Sequence, residues 1–192
     1  MSPIVVDDKA TIETIQDILS YHKYPSQFYP IQPDSPYRQL LVGPGRYRIS
    51  ADSFDSDRQI VINVMFLNDV LLATQQQEYP HSDTLQFIIN LPFKVPAEKL
   101  SSVLRVMTVF NNFIPLGCFN MNVDGAPYYR YAWKIYERNV DGLLLLEILD
   151  EILFFVERLG YKLEEVATAK KTVKEILEEE IDFGQKLNQS QA

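Results

Sequence analysis

The sequence predicts an α+β fold, with amphipathic helices set against an alternating, hairpin-containing sheet. Three observations predict it. Leu85, Phe87, Ile89 and Leu91 alternate with Gln86, Ile88 and Asn90, the period-two pattern of a strand with one apolar face. Leu100, Val103, Leu104, Met107 and Phe110 recur at helical spacing. Asp124-Gly125 separates two further alternating runs and suits the positive φ angles of a tight hairpin turn.

The elements follow in order. Ala10 to His22 reads as a first helix, capped by Asp7 or Asp8, with Ile12, Ile15, Ile18 and Leu19 on one face. Prolines at 25, 30, 33, 36 and 44 forbid a continuing helix, so Tyr24 to Pro44 reads as an extended strap closed by a turn at Gly43-Pro44-Gly45. The strap's aromatics, among them Phe28 and Tyr37, would pin it over the core. Arg46 to Asn68 is strand, broken by a polar turn at Asp55-Ser56-Asp57, and Val70 to Thr74 reads as another short strand.

Pro96 stands at the first turn of the next helix, where its missing N–H costs nothing. Gly117 to Val123 and Ala126 to Glu137 form the hairpin, with Phe119, Met121 and Val123 answering Tyr129, Tyr131, Trp133 and Ile135 on its buried face. Asp141-Gly142 opens a helix from Leu143 to Leu159, and Gly160 ends it. A last helix with a thin apolar stripe runs from about Lys162 to Ile181. Residues 1–182 therefore read as a single α+β domain and 183–192 as a frayed tail.

The Leu143–Leu159 helix is apolar around most of its circumference. A helix resting on a sheet needs an apolar arc of little more than ~100°, so this one requires a second partner. The first helix, the last helix and another copy of the chain are the three candidates. Phe154 shares its polar side with Glu147, Asp150 and Glu151, which makes it either a singly exposed residue or a contact anchor.

Composition excludes several functions. With 26 acidic against 18 basic residues and a formal charge of −8, no nucleic-acid or anionic-membrane partner is expected. No apolar run reaches the ~20 residues of a membrane span. The start of the chain lacks a signal peptide, and Cys118 is the only cysteine, so a cytoplasmic protein without disulfides is expected.

Neither His22 nor His81 has metal-ligand spacing, and Cys118 sits in an alternating strand with no base beside it in sequence. Asp52, Asp55 and Asp57 lack the glycine and terminal glutamate of a calcium loop. No catalytic, cofactor or metal residue is assigned. The outward face of the second hairpin strand carries Tyr128, Arg130, Lys134 and Tyr136. With Phe154, these are the candidate protein-contact residues, since Tyr and Arg are enriched where interfaces bind most strongly.

The run Ile88-Ile89-Asn90-Leu91-Pro92, then Asn111 to Phe119, the Asp124-Gly125 turn and the helix from Leu143 to Val156 follow a recognisable order. Over Arg58 to Leu159 the chain resembles the YbjN-like family of bacterial proteins, whose fold is that of type III secretion chaperones. The resemblance implies a sheet of about five antiparallel strands with helices packed on it, extended here by the N-terminal strap and the last helix. It also implies a non-catalytic module, chaperone-like or regulatory, that binds a protein partner or itself as a homodimer. The alternative is a small-ligand binder or enzyme with a pocket between sheet and strap.

Overall fold

The computed structural model describes residues 9–33, 35–76 and 81–190, the side chains of Pro44 and residues 183–190 excepted. Helix α1 (Ile12–Tyr21) begins at Thr11, whose hydroxyl accepts from the Thr14 N–H while the Thr14 hydroxyl accepts from the Thr11 N–H. The expected caps Asp7 and Asp8 lie outside the described residues. Ile12, Ile15, Ile18 and Leu19 are buried, as their spacing predicts.

The strap is not a loop. Its two ends are strands, β1 (Ser26–Tyr29) and β2 (Gln39–Arg48), paired antiparallel at the sheet's edge. Gly43-Pro44-Gly45 is not a turn either. It lies within β2, where the register shifts between Val42 and Gly45. Proline removes a ladder donor, so a bulge is where a strand tolerates it. The turn after β2 falls at Ile49 to Ser53, closed by the Ile49 N–H on the Ser53 carbonyl. Asp55-Ser56-Asp57 is thus part of β3 (Phe54–Phe66).

The predicted strand Val70–Thr74 is instead helix α2 (Leu67–Ala73). The buried Asp83 carboxylate accepts from the Asn68 N–H at 2.9 Å, satisfying a donor of the first turn. Arg138 ties Asp69 of α2 to Asp83, the latter at 2.6 Å.

Strand β4 (Ser82–Asn90) leads through a 3₁₀ turn, Ala97–Lys99, into α3 (Leu100–Asn111). The hairpin is β5 (Cys118–Met121) and β6 (Pro127–Tyr136), with Gly125 at φ +81° in its turn. Val123 lies in that turn, fully exposed, and does not face the core as its alternation predicts.

Asp141 caps α4 (Gly142–Ala167) by accepting from the Leu143 and Leu144 N–H groups. The helix does not stop at Gly160. It runs for 26 residues, and Gly160 is a close-packing point where an added Cβ would lie 3.4 Å from the Leu91 side chain. The left-handed residue beyond its end is Ala169, at φ +58°. The last helix therefore starts later than predicted, as α5 (Val173–Ser190), and its backbone is helical well into the stretch expected to fray.

Among the described residues the sheet has six strands, ordered β1-β2-β3-β4-β6-β5 and antiparallel throughout. It exceeds the five expected because the strap supplies β1. Leu40, Val42, Ile62, Val64, Phe66, Leu85, Phe87, Ile89 and Tyr129 share one face and join the buried residues of all the longer helices in one core. The second partner that α4 needs comes from its own chain: it packs against β2, α3 and α1, and ion pairs join it to α5. Among the described residues, no helix is long and apolar enough to cross a membrane.

Candidate functional site

With every longer helix on one side of the sheet, the strands' alternate residues point to the other. Asn63, Ile88, Arg130 and Cys118 stand opposite one another across β3, β4, β6 and β5. Tyr128 lies between Asn90 and Asn120, Lys134 beside Thr84, and Tyr136 beside Ser82. Met65 and Gln86, at the end where α2 packs on β3 and β4, are buried. Elsewhere this face is open: Leu41, Ile88 and Tyr128 are half-buried, and Arg130, Ala132, Lys134 and Tyr136 are exposed. The hairpin alternation therefore puts Tyr128, Arg130, Lys134 and Tyr136 together, as expected.

Three contacts hold β6 in this register. The Tyr129 hydroxyl donates to the Leu116 carbonyl, and its ring meets Phe119 edge-on at 5.1 Å. Gly117 passes beneath them at φ +78°, where a Cβ would stand 2.7 Å from the Arg130 carbonyl oxygen, so only glycine fits. Asn111 then reaches from the end of α3 to the β5 backbone, accepting from the Phe119 N–H at 2.8 Å and donating to its carbonyl at 2.9 Å. Arg130 thus projects from a fixed backbone.

Phe154 does not join the other four. It is 54% exposed on α4, on the helical side of the molecule, with its ring edge-on to Phe155 at 5.2 Å. There it lines a groove of about 500 Å³ with Arg48, Glu157, Arg158, Tyr161 and Lys162. The charges in this groove serve one another. Burial pushes the Glu157 carboxyl up, against the opposing pull of Arg48 at 3.9 Å. Arg158 pairs with Glu180 at 2.7 Å, and Lys162 with Glu180 and Glu179 at 2.6 and 3.0 Å. The sequence reading missed this α4–α5 network. Its signal was the basic Arg158 and Lys162, one turn apart, answered by the adjacent Glu179 and Glu180.

The remaining candidates have local roles. His22 caps the end of α1 with its ring 5.0 Å from Tyr21, and His81 is exposed in the turn before β4. Cys118 is half-buried on β5, its sulfur accepting from Asn120 at 3.2 Å. Asp55 binds the Arg58 guanidinium and the N–H groups of Asp57 and Arg58. Of the strap aromatics, Tyr24 packs on the core and donates to Asp150 on α4, whereas Phe28 is exposed. Among the described residues, no three His, Cys, Asp or Glu side chains are grouped to hold a metal.

No protein-family profile matches the chain, and no curated protein matches it. The chain is similar to the crystal structure of an uncharacterized protein from Methanothermobacter thermautotrophicus. Their sequences are 11% identical, the TM-score is 0.45, and the match covers 80% of this chain and 96% of that one.

Proposed function

We propose that the protein is a cytoplasmic, non-catalytic binding module that recognises a partner polypeptide through the open face of its sheet. One observation carries the reading: a sheet face that, among the described residues, carries no long helix and combines half-buried Ile88 and Tyr128 with exposed Arg130, Lys134 and Tyr136. The outward residues of β4 and β6 include two cations and no carboxylate, in a chain of net charge −8. A partner segment that mixes acidic and apolar side chains matches this face, with the charges setting orientation and encounter rate. The resemblance to the YbjN-like family points the same way, towards polypeptides bound without chemistry.

Cross-linked affinity capture from the native cell, with wild-type protein and the double variant Arg130→Glu/Lys134→Glu, tests the proposal. Surface reversals away from caps and the core change stability by less than ~0.5 kcal/mol, so both proteins should melt alike. A specific partner is expected with the wild type and is lost with the variant. A partner retained undiminished by the variant, or the absence of any specific partner, would sink the reading. Sedimentation of the purified protein separates a second copy from a different chain.

A further inference from the structure

A second groove, of about 540 Å³, runs between the first turns of α3 and the first half of α5, from Val173 to Ile181. Its α5 wall is a ridge of Val173, Leu177 and Ile181, spaced four residues apart and so stacked along one helix face. Val173 and Leu177 are half-buried, and Ile181 is 59% exposed.

The rim is basic. Lys99 and Arg105 on the α3 side, and Lys171 and Lys174 on the α5 side, face the groove with a single carboxylate, Glu178. Lys174 spends its charge on Glu178 only at 3.6 Å and in the open, where such a pair contributes little. Lys171 is held by Glu165 and Glu179. Lys99 and Arg105 have no carboxylate partner among the described residues. In a chain with 26 acidic and 18 basic residues, cations left over around one apolar floor form a local field opposite to that of the whole molecule.

Two helix ridges flanking a groove receive a third helix by interdigitating side chains. The molecule contains an example of the chemistry: α5, itself acidic, docks on α4 by placing Glu179 and Glu180 on Lys162 and Arg158 beside the buried Ile176, with Lys171 of the connecting turn also on Glu179. We propose that the α3–α5 groove binds an acidic amphipathic helix of a partner protein. Its carboxylates lie over Lys99, Arg105 and Lys174, and its apolar stripe lies on Val173, Leu177 and Ile181. This surface is separate from the open sheet face and does not depend on it.

The test selects, on the full-length protein, from displayed helical peptides that share one apolar face and differ only in polar face, from fully basic to fully acidic. Acidic peptides are expected to be enriched, and a recovered peptide should shift the amide resonances of Lys99–Arg105 and Thr172–Ile181. The variant Lys99→Glu/Arg105→Glu should weaken that peptide by about tenfold or more, while Arg130→Glu/Lys134→Glu leaves it unchanged. Equal recovery of basic and acidic peptides, no recovery, or binding indifferent to the Lys99 and Arg105 reversal would each overturn the proposal. Capture of phosphatidylglycerol vesicles without any acidic peptide would overturn it too, reassigning the groove to a lipid headgroup.

Discussion

Asn111 occupies the place that a seventh strand would take. By exchanging two hydrogen bonds with Phe119, it covers backbone groups that an edge strand otherwise offers to any passing chain. Asn111→Ala should cost about 1–3 kcal/mol, the usual penalty for leaving a partly buried peptide group unpaired. The variant should also self-associate at concentrations where the wild type does not; urea titration reads the first effect and light scattering the second. The Asn111-Asn112 pair is visible in the sequence as a pattern, but its purpose is not, because the partner backbone lies across a turn whose path depends on Gly117. The Gly125 turn was readable, since Asp-Gly between two alternating runs carries its own local instruction.

At the scale of elements, period was legible and endpoints were not. The wide apolar arc of α4 was plain, and so was its need for a second partner. Its length was hidden because Gly160 reads as a stop, whereas in the helix it lies against Leu91 and Tyr47 with ordinary helical backbone. Helix α2 was misread because a short apolar run carries no period of its own, and tertiary bonds from Asp83 and Arg138 decide it. The strap's prolines argue against helix correctly, yet they say nothing against edge strands interrupted by a bulge.

The α4–α5 contact has a pH dependence whose sign follows from its groups. Burial alone would raise the Glu179 carboxyl, but hydrogen bonds from Lys171 and Lys162 outweigh it and hold the group below its ordinary 4.5. Burial alone would lower the Lys162 ammonium; bonds to Glu180 and Glu179 hold it above its ordinary 10.5. Lys171 is raised in the same manner by Glu179 and Glu165. A depressed carboxyl stabilises above its unfolded value and loses that contribution as pH falls through the folded one. Raised ammonium groups stabilise below their unfolded value and lose it as pH rises through the folded one. Docking of α5, with Arg158 and Glu180 completing the network, should therefore be level between about pH 5 and 10 and fail in acid. Protection of the Val173–Ile181 amides from hydrogen exchange, taken relative to the intrinsic rate at each pH, should fall below pH 4.5 before that of the sheet amides; simultaneous loss would show that α5 opens only with the whole fold.

For the molecule as a whole, period-two alternation sorted Tyr128, Arg130, Lys134 and Tyr136 onto one face without any knowledge of the neighbouring strands. It could not show that the described helices longer than α2 all lie on the opposite face, because that depends on which side every crossover takes. The separation of Phe154 from the other four has the same origin: a residue's position on its helix is local, while the side of the sheet that the helix covers is global. The basic groove was illegible for a further reason. Lys99 and Arg105 lie well over sixty residues before Lys171 and Lys174, and only the packing of α5 against α3 brings them together.

The strand order has a kinetic consequence. Strands β1 to β4 and the β5–β6 hairpin each pair with sequence neighbours, but β4 and β6 meet along nine positions, from Ser82 opposite Tyr136 to Asn90 opposite Tyr128, with all of α3 and β5 intervening. Loop closure must be met there before the pairing returns anything, so this seam is the high-contact-order step of folding. Leu85→Ala, opposite Trp133 in the seam, should slow refolding in stopped-flow mixing. If α5 docks after the seam closes, Ile176→Ala should leave refolding nearly unchanged and speed unfolding. Until that long zip closes, the β4 edge of a newly made chain is uncovered, so the rate of β4–β6 pairing sets how long the edge is open to other chains.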